Sequence, residues 1–536
     1  NHRQALDYFQ QAISLYEETG WLNLALETEN DLARCFVSLS EYSSAKEVLR
    51  DVYSRSDKLR DSQCKVDAFG MMAEIAYAEG DLEKAIHISN RLTKEIESLS
   101  SQFSDMDNLT IFRQKIHHYL QNAVLFEIKN RRLDSAFVKL DYIKARTARY
   151  HFMQNRGIAA HSQSPAYFID IRNLLQQLND NQLVVNYFIS ADTLYAFLLN
   201  DGEIELLQKP VKIEDIRSLA NKFLNSINET IDIFQHQNPA QFIANYDTVT
   251  SRGRRLYHLL LDWRELQIRL RDSEITYIIP DDILYGIPFS CLINGDETDM
   301  EYLIEQTAIV NIPGAFFLQT QHKFDSEKRN RRVLVCADPQ SANTAELIHL
   351  IKKKYPRTEE FFINKGVVKK EDILSKLNED HNIIILIGHS VANTIIPDSS
   401  SFELSILNKI DPKPQKVALS LADFKKVDWS ATEMVFLIGC ETANGKLYEG
   451  TGYCGFQQAL LARGAQNVLA SLWKIDANET INQIVRFLTI WRGQSNPSLA
   501  LQEVKIQTIR QLQQDEYYKK PHPYLWGSFT LWQTVN

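Results

Sequence analysis

Two apolar runs of strand length end in the same way, and they constrain the fold more than any other feature of the chain. One reads Ile383-Ile384-Ile385-Leu386-Ile387-Gly388-His389, the other Met434-Val435-Phe436-Leu437-Ile438-Gly439-Cys440. Short runs this apolar, closed by glycine, fit strands buried on both faces of a parallel sheet. In open sheets of that kind, chemistry gathers beyond the carboxyl ends of the strands. Adjacent strands ending this way would bring an imidazole beside a thiol from residues 51 positions apart. That pair is the minimum equipment for a cysteine nucleophile with a base.

With 536 residues the chain is too long for one core, and two or three domains are expected. The formal charge of −9 offers no basic footprint, so direct nucleic-acid binding is not expected. No apolar run reaches about 18 residues, so no membrane-spanning helix is expected. The six cysteines are Cys35, Cys64, Cys291, Cys336, Cys440 and Cys454. Their scatter argues against a zinc site or a disulfide framework and favours a reducing cytoplasm. The chain opens at Asn1 in what reads as the middle of a helical repeat, without a leader pattern, so residues upstream are expected to be missing.

The first third is internally repetitive. Ala5, Ala45 and Ala85 recur at intervals of 40, the latter two behind the turns Ser40-Glu41-Tyr42-Ser43-Ser44 and Gly80-Asp81-Leu82-Glu83-Lys84. A further copy, Asn130-Arg131-Arg132-Leu133-Asp134-Ser135-Ala136, follows a longer gap. Small and aromatic residues at helical spacing precede the turns, as in Leu32-Ala33 with Phe36, or Ala73 with Ala76 and Tyr77. This pattern resembles tetratricopeptide (TPR) repeats, with a period longer than their usual ~34 residues. Stacked helix pairs of that kind leave a concave surface suited to a peptide or a partner helix. An array without a ligand of its own is the alternative.

Beyond 156–169, which has linker composition, strands alternate with helices. Leu183–Ile189 and Leu194–Leu199 read as a hairpin around Ala191-Asp192. Helices are expected from about 213 to 234 and 241 to 270, then a strand at Ile275–Ile279. Further strands are expected at 332–336, 383–387, 434–438 and 467–472, with helices between them and on to about 513. The segment 393–430, with Pro397, Pro412 and Pro414, reads as loop-rich. Such alternation implies a mostly parallel sheet covered on both faces.

Several separated motifs then acquire a common meaning. Leu437-Ile438-Gly439-Cys440-Glu441-Thr442-Ala443-Asn444-Gly445 is followed by Ser471-Leu472-Trp473-Lys474-Ile475-Asp476 and by His522-Pro523-Tyr524-Leu525-Trp526-Gly527-Ser528-Phe529. Upstream stand Pro280-Asp281-Asp282-Ile283-Leu284-Tyr285-Gly286-Ile287-Pro288-Phe289 and Ile312-Pro313-Gly314-Ala315. Residues 170–536 thereby resemble the CHAT domain, a caspase- and separase-related peptidase module often found behind tetratricopeptide repeats. The expected architecture is a TPR-like α-solenoid over 1–155, a linker over 156–169, and a caspase-like α/β domain. That domain divides into a pseudo-caspase-like part, 170–330, and a catalytic part, 331–536, with a mostly parallel sheet flanked by helices.

The resemblance implies a cysteine endopeptidase with Cys440 as nucleophile and His389 as its proton partner. It implies an oxyanion site from the backbone amides of Cys440 and Ser390, the latter standing where the family often has glycine. In the separase branch an acid after the Leu-Trp motif receives a basic P1 side chain. Asp476 and Glu479 fall in that neighbourhood here, beside Trp473, although Asp476 equally fits a helix N-cap. Trp473 and Trp526 are expected as core or pocket walls. No cofactor and no metal is expected. Gly450-Thr451-Gly452-Tyr453-Cys454-Gly455 fits G-x-G-x-x-G, but it follows no strand directly and reads as a turn into the next helix. Expected partners are a protein or peptide substrate and a regulatory protein on the array, with no membrane. Family members are linked to prokaryotic defence, and the resemblance extends that expectation. The alternative is a non-enzymatic scaffold built on the same fold.

Overall fold

A computed structural model describes the chain apart from residues 1, 60, 101–105, 156–168, 191, 236–238, 297–298, 320–330, 338–341, 362–367, 392–398, 407–414, 440–441, 443–445, 449–451, 474–476, 495, 516–519 and 535–536. The expected linker thus lies almost wholly outside the described residues. Two compact units emerge, one built on Asn1–Ile143 and the other on Lys144–Ile158, Ile169–Leu447 and Tyr453–Asn536.

The first unit is a run of antiparallel helices: α1 (His2–Glu18), α2 (Leu22–Ser38), α3 (Tyr42–Leu59), α4 (Ser62–Ala78), α5 (Leu82–Ser100), α6 (Met106–Lys129) and the start of α7 (Leu133–Asn155). From α1 to α6 each helix packs on its successor, and α4 also packs on α2 and α6, which is the arrangement of a helical solenoid. The repeated turns terminate these helices by one device. Gly20, Ser40, Gly80 and Arg131 all have positive φ, at 78°, 60°, 86° and 58°. The next amide reaches back five residues: Trp21 to Tyr16, Glu41 to Phe36, Asp81 to Ala76 and Arg132 to Glu127. These are Schellman-type ends, in which a left-handed residue closes the last turn. The repeated alanines Ala45, Ala85 and Ala136 are fully buried, so helix backbones approach closely there. Replacing Gly80 by alanine should cost about 1 kcal/mol, because a Cβ disfavours left-handed backbone. Ser40→Gly should stabilise by a similar amount, and urea unfolding of the two variants checks both signs.

The second unit is organised by a 13-stranded mixed sheet. Its strands are β1 (Gln182–Ser190), β2 (Thr193–Asn200), β3 (Glu203–Pro210), β4 (Ile275–Ile279), β5 (Ala308–Asn311), β6 (Val333–Cys336), β7 (Thr358–Glu360), β8 (Ile383–Val391), β9 (Ser401–Ile406), β10 (Gln415–Ser420), β11 (Met434–Ile438), β12 (Asn467–Ser471) and β13 (Phe529–Gln533). The order is β10-β9-β8-β11-β12-β13-β5-β4-β1-β2-β3, with β6 also on β8 and β7 on β6. β4 runs parallel to β1 and to β5, and β8 runs parallel to β6 and β11. The outer ribbons β1-β2-β3 and β8-β9-β10 are antiparallel. The sheet is therefore parallel in much of its interior and antiparallel toward its ends. One continuous hydrophobic core runs from Leu183 to Trp532 through both halves of the unit.

Three expectations need amendment. The helix expected over 241–270 is two, Pro239–Leu260 and Arg264–Asp272, because the chain turns at Leu261–Trp263, where the Gln267 side chain satisfies the Leu261 carbonyl at 3.0 Å. The supposed loop over 393–430 contains β9 and β10. Phe402, Leu404, Val417 and Leu419 alternate inward there, while Lys416 and Ala418 face solvent. Finally, Gly452–Cys454 in the glycine-rich segment is a short strand paired with Lys446–Tyr448 rather than a simple turn.

Two ionisable groups are buried in this unit. His522, fully buried, accepts the Tyr524 amide at Nδ1 and meets Asn245 Oδ1 at 2.9 Å through Nε2, so the proton sits on Nε2. Burial pulls its pKa down to about 3. Lys505 lies 3% exposed with its ammonium on Ser290 Oγ at 2.9 Å, and burial pulls it from 10.5 to about 8. A lysine depressed in the folded state destabilises the fold fully below pH 8, and that penalty fades as pH rises toward 10.5. Lys505→Met should therefore stabilise at pH 7, by on the order of 3 kcal/mol. The gain over the native chain should shrink by pH 10, as urea unfolding at both pH values would show.

Candidate active site

β8 and β11 run parallel and in register from Ile383 opposite Met434 to Ile387 opposite Ile438. All of Ile383–Leu386 and Met434–Ile438 is buried, as the uninterrupted apolar runs require. After Ile387 and Ile438 the chain continues with glycine in both segments, for a steric reason. A Cβ built on Gly439 would lie 2.4 Å from the Gly388 carbonyl oxygen, and one on Gly388 would lie 2.1 Å from the Glu403 carbonyl oxygen. The backbones approach so closely here that no side chain fits.

Beyond Gly388 the strand changes partner. Residues 388–391 leave the parallel ladder and pair antiparallel with β9, His389 opposite Glu403 and Ser390 opposite Phe402. His389 is exposed, whereas Phe402 is fully buried. The alternation sends the His389 and Ser390 side chains to opposite faces of the ribbon. Among the described residues the His389 ring has no hydrogen-bond partner.

Cys440 lies outside the described residues, but Gly439 before it and Thr442 after it are both held by hydrogen bonds. The Thr442 hydroxyl donates to Leu437 O at 2.8 Å and accepts the Ser471 amide at 2.9 Å. The Ser471 hydroxyl donates to Gly439 O. Thr442 and Ser471 are almost completely buried. A hydrogen-bonded bracket from the end of β12 thus fixes the chain on both sides of positions 440–441. The sequence alone assigns neither residue a role, its only signal being two small hydroxyl residues flanking apolar strands.

The expected substrate residues are placed unevenly. Asp476 lies outside the described residues. Glu479 is half-buried near the start of the helix Ala477–Gly493. Trp473 is 1% exposed and donates its indole N–H to Tyr524 O at 3.1 Å, so it is a packed wall. Cys291 and Cys336 are fully buried, and burial pushes their thiols up to about 11 and about 12, which makes them poor nucleophiles.

Among the described residues one cluster has metal-ligand spacing, Glu359, Glu379 and His381. Lys376 Nζ already lies 2.5 Å from Glu359 and 2.8 Å from Glu379, so this group is an ion-pair network whose positive charge is supplied.

Residues 250–533 match the family model of the CHAT domain, which is more than half of the chain. The chain belongs to the CHAT domain family. No curated protein matches it in sequence. Its fold is similar to that of separase in two crystal structures of the Saccharomyces cerevisiae separase–securin complex. These align with TM-scores of 0.53 and 0.50 at 11% and 10% identity, over 98% of this chain and 47% and 48% of theirs. The chain therefore spans about half the length of the separase chains it matches. A complex of the Porphyromonas gingivalis RgpB pro- and mature domains aligns more weakly, with a TM-score of 0.33 at 11% identity over 54% of this chain and 69% of that one. The caspase-like peptidase fold is thus established, as is the absence, among the described residues, of a helix long and apolar enough to cross a membrane.

Gly439→Ala should disrupt the CHAT domain, costing more than about 2 kcal/mol, since neither backbone can yield without breaking the β8–β11 ladder. Gly493→Ala is the control, because a Cβ there meets nothing within 4 Å. Comparing the two unfolding midpoints checks the prediction.

Proposed function

We propose that this CHAT protein is a cysteine endopeptidase working through Cys440 and His389. The observation that carries the reading is the in-register parallel pair β8 and β11, whose last partners, Ile387 and Ile438, are each followed by glycine and then by His389 or Cys440. The imidazole takes the thiol proton and the thiolate attacks the scissile carbonyl. Amides of Cys440 and Ser390 receive the oxyanion. The tetrahedral species collapses with cleavage of the C–N bond, the imidazolium gives its proton to the leaving amine, and water then hydrolyses the thioester, regenerating the thiol.

The substrate is a protein, and a basic P1 side chain is the preference we assign, read by Asp476 or Glu479 through charge pairing. The helical array binds a protein that regulates or presents the substrate. The separase of the similar structures is itself in complex with securin, which motivates a partner protein here without identifying it.

Peptidyl electrophiles ending in Arg, Asp or Leu test the reading, with the labelled cysteine located by mass spectrometry. The Arg probe should label Cys440 fastest. Cys440→Ala should abolish labelling, and His389→Ala should slow it at least about 100-fold. Faster labelling by the Asp or Leu probe would remove the basic preference alone. Equal labelling of Cys440 and the half-buried Cys35 would favour the scaffold reading instead.

A further inference from the structure

The antiparallel ribbon that receives His389 also brings an acid to it. His389 is the direct cross-strand partner of Glu403, and Glu403 is in turn opposite Ala418 on β10. Residues directly opposite in an antiparallel pair project to the same face, with Cβ atoms about 4.5–5.5 Å apart. Burial along the ribbon agrees. His389 and Ala418 are exposed and Glu403 is half-buried, whereas the next row, Phe402 and Leu419, is fully buried. The other charged side chain that this ladder brings to the same face is Lys416, diagonal to Glu403 and 3.6 Å from its carboxylate. That ion pair is exposed on the lysine side, at 68%, so it is weak and water-screened. The Glu403 carboxylate is therefore within a rotamer change of the imidazole. Gly388, where a Cβ would collide with the Glu403 carbonyl, locks the two strands in this register.

We infer that Glu403 is a positioning residue for His389. Its carboxylate accepts the imidazole N–H that faces away from the thiol and stabilises the imidazolium formed when Cys440 loses its proton. A buried aspartate does this for the histidine of serine-protease triads. The inference rests on the His389–Cys440 reading above and adds a third group to it, delivered by the ribbon rather than by the parallel sheet.

The test uses the full chain and iodoacetamide, with the rate of Cys440 modification followed by mass spectrometry from pH 5 to 9. Glu403→Gln should move the acid limb of the rate profile to higher pH and lower the rate at pH 6.5 by about three- to tenfold. Glu403→Ala should do at least as much. Lys416→Ala, which removes the competing ion pair, should leave the rate unchanged or raise it. Nitrogen-15 shifts of the His389 ring in a Cys440→Ala background should report one dominant tautomer while Glu403 is present, and a mixture of tautomers once Glu403→Ala is added. If His389→Ala leaves the profile unaltered, the dyad itself is wrong and the inference falls with it. If His389→Ala slows modification while both Glu403 variants behave as the native chain, only the role of Glu403 is overturned. Slowing by Lys416→Ala equal to that of Glu403→Gln would also overturn it, since the acid would then be acting through the ribbon's ion pair.

Discussion

Everything at the candidate site depends on how closely two backbones approach at Gly388 and Gly439. A carbonyl oxygen occupies the space that a side chain on Gly439 would need, and another does so at Gly388. The apolar ladder behind them, from Ile383 and Met434 to Ile387 and Ile438, holds the strands in parallel register. The two glycines follow directly on the last partners of that ladder. Any larger residue would push the strands apart where the polar residues begin. The proposed chemistry thus starts where two pairs of backbones approach closely, which is what a site held on rigid elements requires.

Precision at the tips also needs the chain on either side of positions 440–441 to be held, and side-chain hydroxyls do this. Thr442 returns to Leu437 O, and Ser471 ties Gly439 O from the neighbouring strand. Each bond engages a backbone carbonyl close to the end of the ladder. The same economy appears at the other end of the sheet, where Lys144 Nζ donates to Tyr187 O, to Pro280 O at 2.9 Å and to Asn186 Oδ1 at 2.9 Å, beside the Asp281 carboxylate at 3.9 Å. There a buried ammonium sits at the carboxyl end of β4, beside the middle of β1. The two halves of the sheet thus end in different ways, one in an imidazole facing solvent and the other in a satisfied internal cation.

Local signals carried most of the fold, and tertiary hydrogen bonding accounts for what they left out. The strands at 383–389 and 434–438 were legible because burial on both faces demands unbroken apolar runs. The array turns were legible because a left-handed residue at a helix end leaves a mark such as Gly80-Asp81. The ribbon β9–β10 was not, since its alternation is only six residues long on each strand and sits among Pro397, Pro412 and Pro414. The break at Leu261–Trp263 depends on the side chain of Gln267, which no local propensity encodes. Lys505 and His522 carry no sign in sequence that they are buried. The identities of the expected site residues were read through strand ends and family motifs, whereas the Thr442–Ser471 bracket exists only once two distant strands are neighbours.

The overlooked ribbon has a consequence for how an imidazole can work at this edge. Had β8 ended at Ile387 in a loop, the His389 ring would owe its direction to flexible backbone. Instead residues 388–391 continue as a strand that exchanges a parallel neighbour for an antiparallel one. In a pleated strand the period of two then decides orientation: Ser390 must face the buried row of Phe402 and Leu419, so His389 must face solvent. A one-residue slip of β9 against β8 would invert both. The apolar side chains Phe402, Leu404, Val417 and Leu419 resist that slip because it would expose them all at once. Hydrophobic burial on one face of the ribbon is thus what aims the polar group on the other.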